Sequence, residues 1–156
     1  MARTIGSVIL GYLVMAIVVI ATFSLAYQVM GADRSYQPGT YEVSGVWIAV
    51  SIVLGLGAAI LGGFACARVA HSPMAPKALA GVVLILGLGM AIAAAAGVGA
   101  EDRVDVRPAE VSGLEAMQNS QTPTWVQFLN PLIGVVGVLY GAGLARKSKQ
   151  GGVEAA

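Results

Sequence analysis

The side chains able to do chemistry in this chain are few, and their spacing excludes most reactions. Cys66 is the only cysteine and His71 the only histidine. The chain by itself therefore supplies no disulfide, no thiolate cage for zinc or an iron–sulfur centre, and no pair of axial imidazoles for a haem. Cys66, between Ala65 and Ala67, reads as a small apolar residue at a helix interface. His71, followed by Ser72 and Pro73, reads as a solvated loop group. Glu101, Asp102 and Asp105 form an acidic cluster of the kind that attracts a cation, but a solvated loop face accounts for it as simply. The remaining polar candidates are Gln127 and Asn130 beside Pro131, with Ser24 and Gln28 nearer the amino terminus. A proline frees the carbonyl four residues before it, and an amide beside it can line a ligand cavity or hydrogen-bond across helices. Gln127 and Asn130 are thus the candidate polar cavity.

Enzyme chemistry lacks its parts. No acid, base or cation lies within an apolar stretch, no nucleophile has a base at a useful spacing, and no glycine-rich loop leads into a lysine. The GLGAAILGG stretch over 55–63 lacks the strand and loop of a nucleotide site and reads as a helix surface. No catalytic residue and no metal ligand is assigned.

Four stretches, 4–32, 43–67, 78–100 and 116–145, contain no charged side chain. Each exceeds the roughly 20 residues with which a helix crosses a bilayer core of about 30 Å. Hydrophobic residues make up 57% of the chain and charged residues 11%, against about 25% charged in soluble domains, and the mean hydropathy is +0.80. The expected fold is all-α: an integral membrane four-helix transmembrane bundle with short loops, one domain over 1–156. The spans fall at about 4–30, 45–70, 77–99 and 123–145. The first is too long for a secretory signal core and reads as a retained helix. It ends at Gly31, suited to a helix C-cap. Outer loops cover 31–44, with a turn at Pro38-Gly39, and 100–122. In the latter, Val111, Leu114 and Met117 recur every third residue, as in a short helix or 3₁₀ turn. A turn over 71–76 carries Pro73 and Pro76, and a tail covers 146–156. Thr122 and Pro123 suit the start of the fourth helix, and Pro131 inside it predicts a kink.

Charge orients the bundle. Arg3, Arg68, Lys77, Arg146, Lys147 and Lys149 lie on the side of both termini, against Arg34, Arg103 and Arg107 on the other. Basic loops stay cytoplasmic, so both termini are expected inside, in a membrane such as the bacterial inner membrane. The composition resembles that of small bacterial inner-membrane proteins. Tyr27, Tyr36, Tyr41, Trp47, Trp125 and Phe128 gather towards the outer interface, as an aromatic belt does. The same rings could also hold a lipid, quinone or pigment, and no other cofactor is expected.

The 21 glycines suggest packing, since glycine costs about 1 kcal/mol relative to alanine in a soluble helix but lets membrane helices approach closely. Gly55, Ala59, Gly63 and Ala67 recur every fourth residue in the second span, Gly89, Ala93 and Gly97 in the third, and Gly137, Gly141 and Ala145 in the fourth. Such ridges serve packing within the bundle or docking against another chain. Their number leads to the functional expectation: a non-catalytic membrane subunit or scaffold in a larger, conceivably energy-transducing complex. Its partners would be other integral membrane subunits or itself, and membrane lipids, with no nucleic acid. The alternatives are a small transporter or channel lined by the fourth helix, which requires a cavity reaching Asn130, and a self-assembling holin-like pore.

Overall fold

A computed structural model describes residues 2–70, 72–99, 106–107 and 113–154. Helix α1 covers Ala2–Met30, the short α2 Ala32–Ser35, α3 Gly45–Val69, α4 Met74–Ala95, α5 Gly113–Gln118 and α6 Thr124–Glu154. Within them, Arg3–Met30, Gly45–Val69, Met74–Ala95 and Thr124–Ser148 are long and apolar enough to cross a membrane. This is the all-α four-helix bundle expected of an integral membrane protein. Ile5, Ile9, Leu13, Ile17 and Ile20 stand exposed along α1, a face whose natural solvent is hydrocarbon.

Several boundaries differ from expectation. Helix α4 starts at Met74, not Lys77, so Pro76 sits inside its first turn, where a missing N–H removes no helical hydrogen bond. It stops at Ala95, and Gly97 and Gly99 take φ of +81° and +77°, a backbone region that glycine enters at little cost. Helix α6 begins one residue after Pro123 and continues to Glu154 through the segment expected as a tail. Arg146, Lys147, Lys149 and Gln150 are good helix formers and no proline follows. As expected, the helix continues through Pro131. The Pro131 ring is buried against α4 at Gly87, where a Cβ would come within 2.6 Å of it.

The bundle order does not follow the chain. Helix α6 packs most extensively on α3, α1 also packs on α3, and α4 packs on α6, while α1 meets α4 and α3 meets α4 far less. Helices α3 and α4, joined by a short turn, therefore lie diagonally. Lipid offers no hydrophobic drive to pair one apolar face rather than another, so close backbone approach decides. A side chain at Gly63 would overlap the Val138 carbonyl of α6, and one at Gly141 the Ile60 carbonyl of α3. Gly11 of α1 lies equally close to α3, where a Cβ would stand 2.9 Å from the Gly62 oxygen and 2.8 Å from Cys66 Cβ. With Ala59, Cys66, Ala75, Leu79 and Val138 buried around them, these contacts close the half of the bundle nearest the termini.

The opposite end carries a cap. Pro38 and Gly39 form the expected turn, with Gly39 at φ +72° and the Thr40 N–H donating to the Gln37 carbonyl at 3.2 Å. Beyond it the 31–44 segment is more ordered than a plain polar loop. Tyr36 pairs antiparallel with Val43, Thr40 with Val106, and Glu42 lies parallel to Gln121. The Val43 N–H donates to the Gln121 carbonyl at 3.1 Å, and the Gln121 N–H to the Tyr41 carbonyl at 2.9 Å. Ser44 caps α3, its hydroxyl accepting from the Trp47 N–H at 3.1 Å.

Candidate binding cavity

Under the cap the helices part. Helices α1 and α4 come together around Leu79 near the termini and leave a gap in the other half. A cavity of about 920 Å³ opens there, walled by all four long helices. On α1 its wall runs from Phe23 to Met15, and on α4 from Ala94 to Val83. At 1.5 Å per residue these stretches put its depth at about 12–16 Å, roughly half a bilayer core. Its floor is apolar, formed by Met15, Gly55, Val83, Ile133 and Gly134. Below the floor lie the close contacts of Gly11, Gly62 and Gly63, so the cavity is blind. Gln37, Glu42, Gln121, Thr122 and Thr124 line its mouth.

Gln127 and Asn130, singled out from the sequence, both line this space. Gln127 Nε2 donates to the Thr122 carbonyl at 2.8 Å, and its Oε1 has no partner among the described residues. The Asn130 amide has no hydrogen-bond partner among the described residues. Pro131 has no N–H to give the Gln127 carbonyl. Two unpartnered side-chain amide functions and a carbonyl without its usual helical donor thus lie within one helical turn.

The aromatic residues divide. Trp125 is 59% exposed, as a belt residue is, and Phe128 is half-buried. Tyr36, Tyr41 and Trp47 are instead buried in the cap, a correction to the belt expected of them. Their rings meet edge to face, with centroids 6.1 Å apart for Tyr36 and Tyr41, 6.3 Å for Tyr27 and Tyr36, and 6.2 Å for Tyr27 and Trp47. Phe23 reaches Trp47 from α1 at 6.0 Å. Phe23, Tyr36 and Trp47 turn this cluster towards the cavity.

Tyr36 also fastens the cap, its hydroxyl donating to the Ala116 carbonyl of α5 at 2.8 Å. Burial pushes this phenol above its ordinary value, and a hydrogen bond with Ser120 pulls it partly back. The folded cap therefore prefers the neutral phenol. Its contribution is whole below the usual tyrosine value of about 10 and declines as pH rises from there towards the folded value. Tyr36→Phe should weaken the cap by about 1 kcal/mol near neutral pH and remove this part of its alkaline sensitivity. Protease resistance of the cap followed from about pH 8 to 11 checks it; an unchanged alkaline loss in the variant contradicts it.

The ridge residues separate as well. Ala59, Gly63, Ala67, Gly137, Gly141 and Ala145 are all buried, and the contacts above place the α3 and α6 ridges against each other. Gly55 borders the cavity with nothing near its Cα face. The third-span ridge does not pack in the bundle: Gly89 faces open space, Ala93 is half-buried, and Gly97 lies beyond the helix end. Cys66 is buried at the α1–α3 contact. His71 and the cluster of Glu101, Asp102 and Asp105 lie outside the described residues, as do Val111 and the side chains of Leu114 and Met117. Helix α5 does form where that spacing suggested a turn.

Arg107 was only a charge to be counted in the sequence. Its guanidinium is buried, with Nη2 donating to Asp33 Oδ1 at 3.1 Å and Nε and Nη1 unpartnered among the described residues. Nothing in the local sequence signals this, since the burial comes from folding the distant 31–44 segment over it. The Arg107 N–H donates to the Gly39 carbonyl at 3.0 Å.

No family model, no curated protein and no solved structure matches this chain.

Proposed function

We propose that this is a non-catalytic membrane protein that receives a small molecule into the pocket beneath its cap. One observation carries the proposal: a blind, four-helix-walled cavity of about 920 Å³, within the range of small-molecule sites, which includes the two amides expected to line a cavity. The ridges that suggested a scaffold are occupied by one another on α3 and α6, so the cavity and not the ridges supports a role. Conduction draws less support, because a path would have to cross the glycine contacts beneath the floor. The excess of lysine and arginine on the terminal side argues that the termini are cytoplasmic and that the cap and cavity mouth face outward, as in a bacterial inner membrane. A subunit of a larger membrane complex would use the pocket in the same way.

Ser51 lines the cavity from α3, and Ser51→Trp obstructs it. Protein taken from its own membrane in mild detergent should carry one small-molecule adduct per chain in native mass spectrometry. The variant should show at least about a tenfold lower occupancy, the loss of a well-packed contact. Equal adducts on both proteins, or none on either, overturn the proposal.

A further inference from the structure

We infer that the ligand is an uncharged, hydroxyl-bearing amphiphile drawn from the bilayer, its head at Gln127 and Asn130 and its tail in the apolar half of the cavity. This rests on the binding role proposed above. The wall is segregated. Amides and hydroxyls, interleaved with apolar residues such as Val43, Ile48, Met90 and Val126, lie at the mouth and down to Asn130, and below them the wall is methionine, valine, isoleucine and glycine alone. A molecule polar throughout would leave the floor unfilled, and one apolar throughout would leave the amides unmet.

The charge of the head follows from what the wall lacks. Among the described residues no lysine, arginine or histidine lines the cavity, and beside the neutral Tyr36 phenol its one carboxyl group is that of the exposed Glu42 at the mouth. A phosphate or carboxylate head would enter with no counter-charge and a carboxylate nearby. A cationic head seated at Asn130 would find only neutral groups around it. The hydrogen-bonding functions narrow the choice further. The exposed Asn130 offers two N–H donors and one acceptor, none spent on the described residues. Gln127 adds its free Oε1 and the carbonyl that Pro131 cannot serve. A site with both donors and acceptors matches a hydroxyl, which gives and takes, better than a head that only accepts. Within hydrocarbon such unmet groups are costly, so the head satisfies what the helices do not.

Besides the mouth there is a lateral way in. Met90 lines the cavity on α4 and is 75% exposed, so the wall opens to the bilayer where α4 stands away from α1.

Trp47 lines the cavity, and in a Trp125→Phe background it is the one tryptophan left. In neutral detergent micelles, a brominated monoacylglycerol should quench Trp47 saturably. A brominated fatty acid and a brominated alkyltrimethylammonium should each bind at least about tenfold more weakly. Asn130→Leu, at a site that meets no protein donor or acceptor, should weaken the monoacylglycerol about tenfold by removing its hydrogen bonds. Comparable or tighter binding of a charged compound, or monoacylglycerol binding unchanged in Asn130→Leu, overturns the assignment while the pocket stands. No saturable quenching by any of the three also overturns it. The binding role falls with it only if native mass spectrometry of the membrane-derived protein finds no adduct.

Discussion

Gly63→Leu or Gly141→Leu should destabilise the bundle by about 3 kcal/mol or more, near the upper end of overpacking costs, whereas Gly89→Leu should leave it unchanged or stabilise it by less than about 1 kcal/mol. The first two positions face backbone. A Cβ at Gly63 would overlap the Val138 carbonyl, and one at Gly141 the Ile60 carbonyl, so no rotamer change makes room and α3 and α6 have to separate. Separation also loses the dispersion contacts along the most extensive helix pair of the bundle. Leucine is the better helix former by somewhat under 1 kcal/mol. That gain acts at all three positions and prevails only where space is open, as at Gly89. Unfolding in mixed micelles with increasing denaturing detergent measures the difference. Equal stability of the three variants would show that α3 and α6 do not meet at these residues.

Tyr41→Ala should open the cap and leave the spans intact. Tyr41 is 1% exposed and among the largest fully buried side chains. Removing a buried aromatic ring costs about 3–5 kcal/mol, and here the loss falls on one local unit. The ring stacks edge to face on Tyr36, and the Tyr41 carbonyl holds the Gln121 N–H, so the loop and the segment leading into α6 loosen together. Because proteolysis of a locally opened state tracks its population, cleavage within 36–43 should accelerate about a hundredfold or more, with the helical circular dichroism signal nearly unchanged. The glycine contacts that hold α3 to α6 lie at the other end of the bundle and do not involve Tyr41. Trp125→Ala, by contrast, truncates a mostly exposed ring and should leave the cleavage rate near that of the parent. A global loss of helix in Tyr41→Ala would show that cap and bundle are a single cooperative unit.

Much of the candidate site was visible in the residues themselves. Gln127, Asn130 and Pro131 stand out because amides and a proline are rare in an otherwise apolar run, and each lines or borders the cavity. The turn at Pro38-Gly39 and the break at Gly31 were equally legible, since positive φ is a local demand that glycine meets. Local rules failed where neighbours decided. Pro76 looked like a helix breaker and is a first-turn residue. Gly97 matched the four-residue spacing of Gly89 and Ala93, yet the helix had already ended at Ala95. Tyr36 and Tyr41, placed by composition at an interfacial belt, are buried because the 31–44 segment folds onto 106–107 and 121.

The sequence by itself determined the number and approximate position of the spans, because expelling charge from hydrocarbon leaves a pattern that needs no neighbours to be read. It also determined that small residues would form the helix contacts. Only the tertiary structure decided which ridges meet, that α3 pairs with α6 and not with the adjacent α4, and that α1 and α4 part beneath the cap. In lipid every apolar face is equally well solvated, so composition cannot rank one helix pairing above another. The ranking comes from backbone shape at Gly11, Gly62, Gly63 and Gly141. The cavity is what remains where no such close contact draws the helices together.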